Sequence, residues 1–312
     1  MISIENLTQN ITHIPVNCGD MRNEIQSLLF DAESTLMSVT GSCAVVSGDS
    51  GTGKTTMLEK LLESYSESSL VVKNKFKGCL IRAPENMSQN DLYRQILKGF
   101  GEPGNITGTA NSMKQRIEEQ IVNKGIKMIV FDEFQQVVEK LKEKSVREHA
   151  DYLKYLMDEH SLFMVFAGTE KVERILDFNE QFDSRCSQVI TKKLMSVRTK
   201  TQFKTLCEYL IDIQEVHRIS GLSFLEPEFV MGIQASSGGD LRVVCRLITR
   251  ALVNMANHSR SDLNLDDFKT TWRKPRHSSC SNAKKLKSNP WNKSLALLKQ
   301  ELGVKYEIPN YN

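Results

Sequence analysis

The sequence predicts an α/β fold, a parallel sheet flanked by helices, followed by a small all-helical region. Five short apolar runs recur between longer segments whose apolar residues fall at helical spacing. The runs are largely continuous rather than alternating, as in strands covered on both faces of a parallel sheet. Near position 195 the strand signal stops, and only helical patterns follow.

In chain order, the predicted strands are CAVVSG (43–48), GCLIRAP (78–84), KMIVFDE (127–133), LFMVFAG (162–168) and QVITKKL (188–194). Between the first two, Met57, Leu58, Leu61 and Leu62 mark a helix face, and Leu92, Ile96 and Leu97 mark another before the third. The run EKLKEKSVREH (139–149) alternates in charge and reads as a solvated helix. Beyond 195, Phe203, Leu206, Cys207, Leu210 and Ile211 follow the spacing of an amphipathic helix. Leu241, Val244, Cys245, Ile248 and Leu252 repeat it after the Gly238-Gly239 break, and the capped segment NLDDFKTTW closes the region. The expected organisation is an N-terminal extension (1–25), an α/β core (26–195), a helical lid (196–272) and a basic tail (273–312). Within the tail, 274–293 is polar and turn-rich, hence a linker. Leu295, Leu297, Leu298 and Leu302 then suggest a terminal helix that, with Trp291, docks a partner.

Composition excludes several classes. At 312 residues, 40% hydrophobic and 25% charged, the chain has ample material for a packed core. No run of 18 apolar residues suggests a membrane span, and the start MISIENLTQNITHIP lacks the pattern of a signal peptide. The seven cysteines are scattered, without C-x-x-C, and the six histidines share no metal spacing. A reducing cytoplasm without disulfide framework or zinc site is expected. The net charge of +3 hides an asymmetry. From Lys269 onward ten basic residues face two acids, whereas the preceding 268 residues hold 31 bases and 36 acids. A basic tail on an acidic body suggests an anionic partner or a solvated terminus.

Two motifs carry chemistry. GDSGTGKT, Gly48 to Thr55, matches G-x-x-x-x-G-K-[ST] between a predicted strand and a predicted helix. Such a loop wraps phosphates with backbone amides and the helix N-terminus. Gly48, Asp49, Ser50, Gly51, Thr52, Gly53, Lys54, Thr55 and Thr56 are therefore the expected ATP-binding residues. Lys54 reaches the β- and γ-phosphates, and the Thr55 hydroxyl ligates Mg²⁺. The second motif is MIVFDE (128–133), apolar strand residues ending in two acids. Asp132 would hold the Mg²⁺ shell and Glu133 would polarise the attacking water.

Three positions acquire meaning beside these motifs. Thr169 follows the strand LFMVFAG, where it either bridges γ-phosphate and water or simply caps a turn. Arg185, before the last strand, either serves a neighbouring subunit's site or forms a surface salt bridge. Arg242, in SGGDLRVV, either reaches back to the phosphates or is an exposed helix charge. Taken in this order, the residues resemble an AAA+ ATPase, with Thr169 standing where many such proteins carry Asn. The stretches GDSGTGKTT, IRAPENMSQNDLYRQILKGFGEP, FDEFQQV and AGTEKVERIL…QFDSRC are similar to transposition regulators of the TnsC/TniB type, relatives of MuB.

That resemblance spans roughly 10–270 and implies an ATP-dependent matchmaker. Such a protein assembles with copies of itself as rings or filaments on double-stranded DNA. It receives a target signal from a TniQ-type protein, recruits transposase subunits and disassembles on hydrolysis. Candidate phosphate-backbone contacts are Lys98, Thr109, Lys114 and Arg116, each of which could equally belong to a solvated helix face. Another DNA-remodelling AAA+ protein, such as a replication initiator or helicase loader, and a signalling ATPase switch remain the alternatives.

Overall fold

The computed structural model describes residues 19–38, 40–84, 88, 90–177, 180–273 and 288–309. They form two units, one built from Asn23–Asp49 and Lys54–Lys192, the other including Ser50–Gly53 and the chain from Lys193 onward.

The first unit carries a five-stranded sheet of order β2-β3-β4-β1-β5, with every neighbouring pair parallel. The strands are β1 (Ser42–Gly48), β2 (Lys77–Arg82), β3 (Ile126–Asp132), β4 (Phe163–Ala167) and β5 (Cys186–Lys192). Helix α1 (Gly19–Met37) precedes β1; α2 (Lys54–Glu67) and α3 (Ser69–Asn74) follow it. Helices α4 (Asp91–Gly99) and α5 (Ala110–Lys124) lie between β2 and β3, and α6 (Gln135–Lys140) and α7 (Glu143–His160) between β3 and β4. Two single-turn helices, α8 (Arg174–Asp177) and α9 (Glu180–Asp183), precede β5.

The central strands β1, β3 and β4 are almost wholly buried, which explains their continuous apolar runs. The ring of Phe131 stacks on that of Phe166 at 5.3 Å, and Phe134 packs edge-on to both. The edge strand β5 instead alternates between half-buried and exposed residues, a departure from the two-sided burial expected of every strand. The charged run 139–149 differs too: α6 ends at Lys140 and α7 begins at Glu143, with Val146 and His149 buried. Alternating charge conceals both the break and the inward face.

Register places the site. Val46 pairs with Ala167, Gly48 with Lys192, Phe131 with Phe166 and Arg82 with Asp132. The carboxyl ends of β1, β3 and β4 therefore open on one sheet edge, where ligands of open α/β sheets bind.

The second unit is helical: α10 (Lys200–Val216), α11 (Pro227–Ser237), α12 (Leu241–Asn257) and α13 (Leu265–Thr271). Its apolar stripes meet in a core that includes Phe203, Leu210, Phe229, Val244, Ile248 and Phe268. Side chains close the helix starts: Thr199 and Asn264 form capping boxes, and Asp240 accepts from the amides of Arg242 and Val243.

The tail departs most from expectation. Residues 274–287 lie outside the described residues, but a turn at Pro290–Asn292 and α14 (Leu295–Leu302) pack within the helical unit. The Trp291 ring is buried against Phe229 and Phe268, with centroids 5.8 and 4.8 Å away. A Cβ on Gly232 would lie 2.5 Å from the indole, so that glycine makes room for it. Leu298 is buried and the Tyr306 hydroxyl donates to the Val197 carbonyl at 2.9 Å. Trp291 and Leu298, expected to dock a partner, find their apolar surface inside their own chain. Among the described residues no helix is long and apolar enough to cross a membrane.

Candidate functional site

At the end of β1 the backbone must turn where no side chain fits. Gly48 has φ +144°, and a Cβ there would overlap the Lys192 carbonyl oxygen. The loop then enters α2, whose first residue, Lys54, is buried and curls back over the loop. Its ammonium donates to the carbonyls of Gly48 (2.7 Å) and Asp49 (2.8 Å). Thr55 is half-buried and its hydroxyl donates to Asp132 Oδ2 at 2.8 Å; Thr56 follows, also half-buried.

Asp132, at the end of β3, is 2% exposed. Burial pushes its carboxyl above the ordinary carboxylate value, against the opposing pull of the Thr55 hydroxyl. Its second oxygen accepts from the Glu133 amide at 2.9 Å, and the Arg82 guanidinium lies 3.9 Å from Oδ2. Thr55 and Asp132 thus present two hard oxygen donors side by side, the donor set that suits Mg²⁺. Glu133 is exposed and holds φ +58°, a left-handed conformation rare for a side chain of this size. Phe134 N–H donating to Ala167 O (2.8 Å) and Gly168 N–H donating to Val46 O (3.0 Å) lock the three strand ends together. Thr169 continues from β4, and its Oγ1 is buried without a hydrogen-bond partner.

Ser50–Gly53 group with the helical unit. There the Gly51 carbonyl accepts from Leu241 N–H (3.0 Å), and a Cβ on Gly51 would overlap the Asp240 carboxylate. Arg242, in the first turn of α12, donates to Ser50 Oγ at 2.9 Å and lies 3.4 Å from Asp240. Thr52 is buried in the same unit. Two further residues stand outside the phosphate-loop and paired-acid motifs, one in each unit: in the helical unit Asp240, which caps α12 behind Gly51, and in the α/β unit Gln135, whose amide meets Glu133. Asp240 is visible in the Gly-Gly-Asp start of the helix; Gln135 appears only as part of the stretch FDEFQQV, after the paired acids.

Arg185 lies elsewhere. It precedes β5 at the end where Cys43 pairs with Cys186, while the phosphate loop leaves β1 at the Gly48–Lys192 end. Six steps of about 3.3 Å along β5 separate these ends, roughly 20 Å. Arg185 therefore does not reach the Gly48 end of its own sheet. Its guanidinium binds both oxygens of Asp158, at 2.6 and 3.0 Å.

The expected DNA contacts share one corner of the α/β unit, at α4 and α5, but most are engaged. Thr109 caps α5 by accepting from the Ser112 amide, and Lys114 sits 4.6 Å above the Tyr152 ring. Arg116 pairs with Glu102 and donates to the Thr107 carbonyl. Lys98, in the last turn of α4, is exposed.

A phosphate loop, paired acids and a parallel sheet in this arrangement invite comparison with known proteins. The family described as "Bacterial TniB protein" matches residues 20–195. This chain belongs to the TniB family. No curated protein matches it. Among solved structures it is similar to the Aeropyrum pernix ORC2 protein (ADPNP-ADP complexes), with TM-score 0.64 and 15% identity over 80% of this chain. The match covers 66% of that chain, so this chain spans just under two thirds of its length. It is also similar to Drosophila ORC bound to DNA, with TM-score 0.61 and 15% identity, covering 89% of this chain and 67% of the other. The Thermotoga maritima RuvB Holliday junction branch migration motor gives TM-score 0.51 and 14% identity, covering 92% and 82%. At such identities these likenesses speak for the fold, a parallel P-loop sheet of the AAA+ type. This TniB-family chain thus has the fold of P-loop ATPases.

Proposed function

We propose that the chain is an ATP-dependent regulator of DNA transposition. It assembles with copies of itself on double-stranded DNA, receives a target signal from a TniQ-type protein and recruits transposase subunits. Membership of the TniB family over residues 20–195 is the observation that carries this reading. In it, Gly48–Thr56 and Arg242 hold ATP, and Glu133 polarises the attacking water. Thr55 and Asp132 hold Mg²⁺, which when bound neutralises charge developing on the phosphates. Arg185 serves the site of an adjacent copy, a role supported by its distance from the Gly48 end of its own sheet. DNA contact falls to the α4–α5 corner, with Lys98 its exposed cation.

The test is electron microscopy with a non-hydrolysable ATP analogue, with and without duplex DNA. Rings or filaments templated by the duplex are expected. Dispersed single chains under both conditions would remove the proposal, while leaving the ATPase assignment untouched.

A further inference from the structure

The ends of β3 and β4 are bridged by one side chain that neither sequence motif includes. Gln135, at the start of α6, is 3% exposed. Its Nε2 donates to Glu133 Oε2 at 2.6 Å, and its Oε1 accepts from the Thr169 amide at 3.3 Å. Only one orientation of the amide satisfies both neighbours, because a carboxylate needs a donor and an N–H needs an acceptor. Space is cleared for it: a Cβ on Gly168 would overlap Gln135 Oε1. Glu133 meanwhile sits at φ +58°, a conformation that persists only where surrounding contacts enforce it.

We propose that Gln135 is a positioning residue for hydrolysis. It fixes the Glu133 carboxylate beside the end of β4, next to Thr169, so that the water-polarising group meets a phosphate site with its direction already set. The inference rests on Glu133 acting as that group. It also separates two functions that lie side by side: Asp132 and Thr55 bond to each other, and Asp132 to the Glu133 amide, without passing through Gln135. Loss of the Gln135 amide should therefore lower turnover while sparing nucleotide affinity.

The experiment compares Gln135→Met, Gln135→Ala, Gly168→Ala, the double variant Gln135→Ala/Gly168→Ala and Glu133→Gln in the full chain. Turnover at saturating Mg²⁺–ATP and the Kd of a fluorescent ATP analogue are measured, with circular dichroism melts to confirm folding. Gln135→Met should reduce kcat at least about ten-fold, a fraction of what a positioned general base contributes, with Kd changed less than about two-fold. Gly168→Ala should reproduce that defect by displacing the amide. The double variant should be no worse than Gln135→Ala, because the alanine at 135 removes the group that Gly168→Ala displaces.

A Gln135→Met enzyme with unchanged or raised kcat overturns the proposal, as does an additive double variant. If Gln135→Met does not fold, the Gln135→Ala and Gly168→Ala comparison decides the same question. Glu133→Gln distinguishes the two layers. Its inactivity beside a normal Gln135→Met rejects only the positioning role, whereas retained turnover in Glu133→Gln rejects Glu133 itself.

Discussion

Asp132 and Asp267 are both buried carboxylates, and their surroundings push them in opposite directions. Asp132 has one hydroxyl donor and one amide, and burial prevails, raising its titration. At Asp267 burial also pushes upward, but donors outweigh it. Arg260 grips both oxygens, Asn254 Nδ2 donates at 2.8 Å and the Asn264 amide at 3.0 Å, so the carboxyl titrates below the ordinary range. A depressed carboxylate adds stability above its unfolded pKa of about 3.9, and that contribution is lost as pH falls through the folded value. Replacing Arg260 with Ala should therefore lower stability at pH 7, because charge-assisted hydrogen bonds to Asp267 are lost. The difference from the parent should shrink as pH falls below about 4. Urea unfolding of both proteins at neutral pH and near pH 3 checks this, and a difference independent of pH would contradict it. The sequence offers DDF after Asn264 as a helix start, but nothing in the local string connects Asp267 to Arg260 across the turn.

At the scale of elements, the legible features are those with strong local periodicity. β1, β3 and β4 are apolar because neighbours cover both faces, and such runs announce themselves. The phosphate loop is equally plain, since glycine spacing and a following helix are local requirements. The terminal segment misleads because a tryptophan in polar, basic surroundings looks like an anchor for another molecule. Its partners, Phe229, Gly232 and Phe268, stand far away in sequence. Trp291→Ala should thus destabilise the helical unit by about 3–5 kcal/mol, as for other buried aromatic truncations. A thermal melt that follows the helical signal measures it; an unchanged melting temperature would return Trp291 to the role of partner anchor. Removal of residues 274–312 is, on the same grounds, an unsuitable probe of docking alone, because it takes away part of a core.

For the molecule as a whole, the position of Arg185 bears on how activity relates to assembly. A guanidinium at the amino end of β5 is about 20 Å of strand from the Gly48 end, so in the proposed assembly it would serve the site of another copy rather than its own. In that proposal its ion pair with Asp158 would be exchanged for the contact with the neighbour. Lys54→Ala and Arg185→Ala proteins should each be inactive alone, and their mixture should regain part of the ATPase rate. In a mixed assembly some interfaces pair an intact loop with an intact arginine. ATPase assays across mixing ratios, with assembly checked by light scattering, decide the matter. No recovery in assembled mixtures would assign Arg185 to the Asp158 salt bridge alone.

The sequence by itself determined the α/β class, the phosphate loop and the paired acids after β3, because each depends on neighbours a few residues away. It also carried the family resemblance, since the motifs occur in order along the chain. Tertiary structure alone decided which hydroxyl meets Asp132, that Gln135 joins Glu133 to the end of β4, and that Trp291 faces inward. These contacts link residues whose proximity depends on strand register and helix packing. Such geometry is cooperative and non-local, so no window of the sequence contains it.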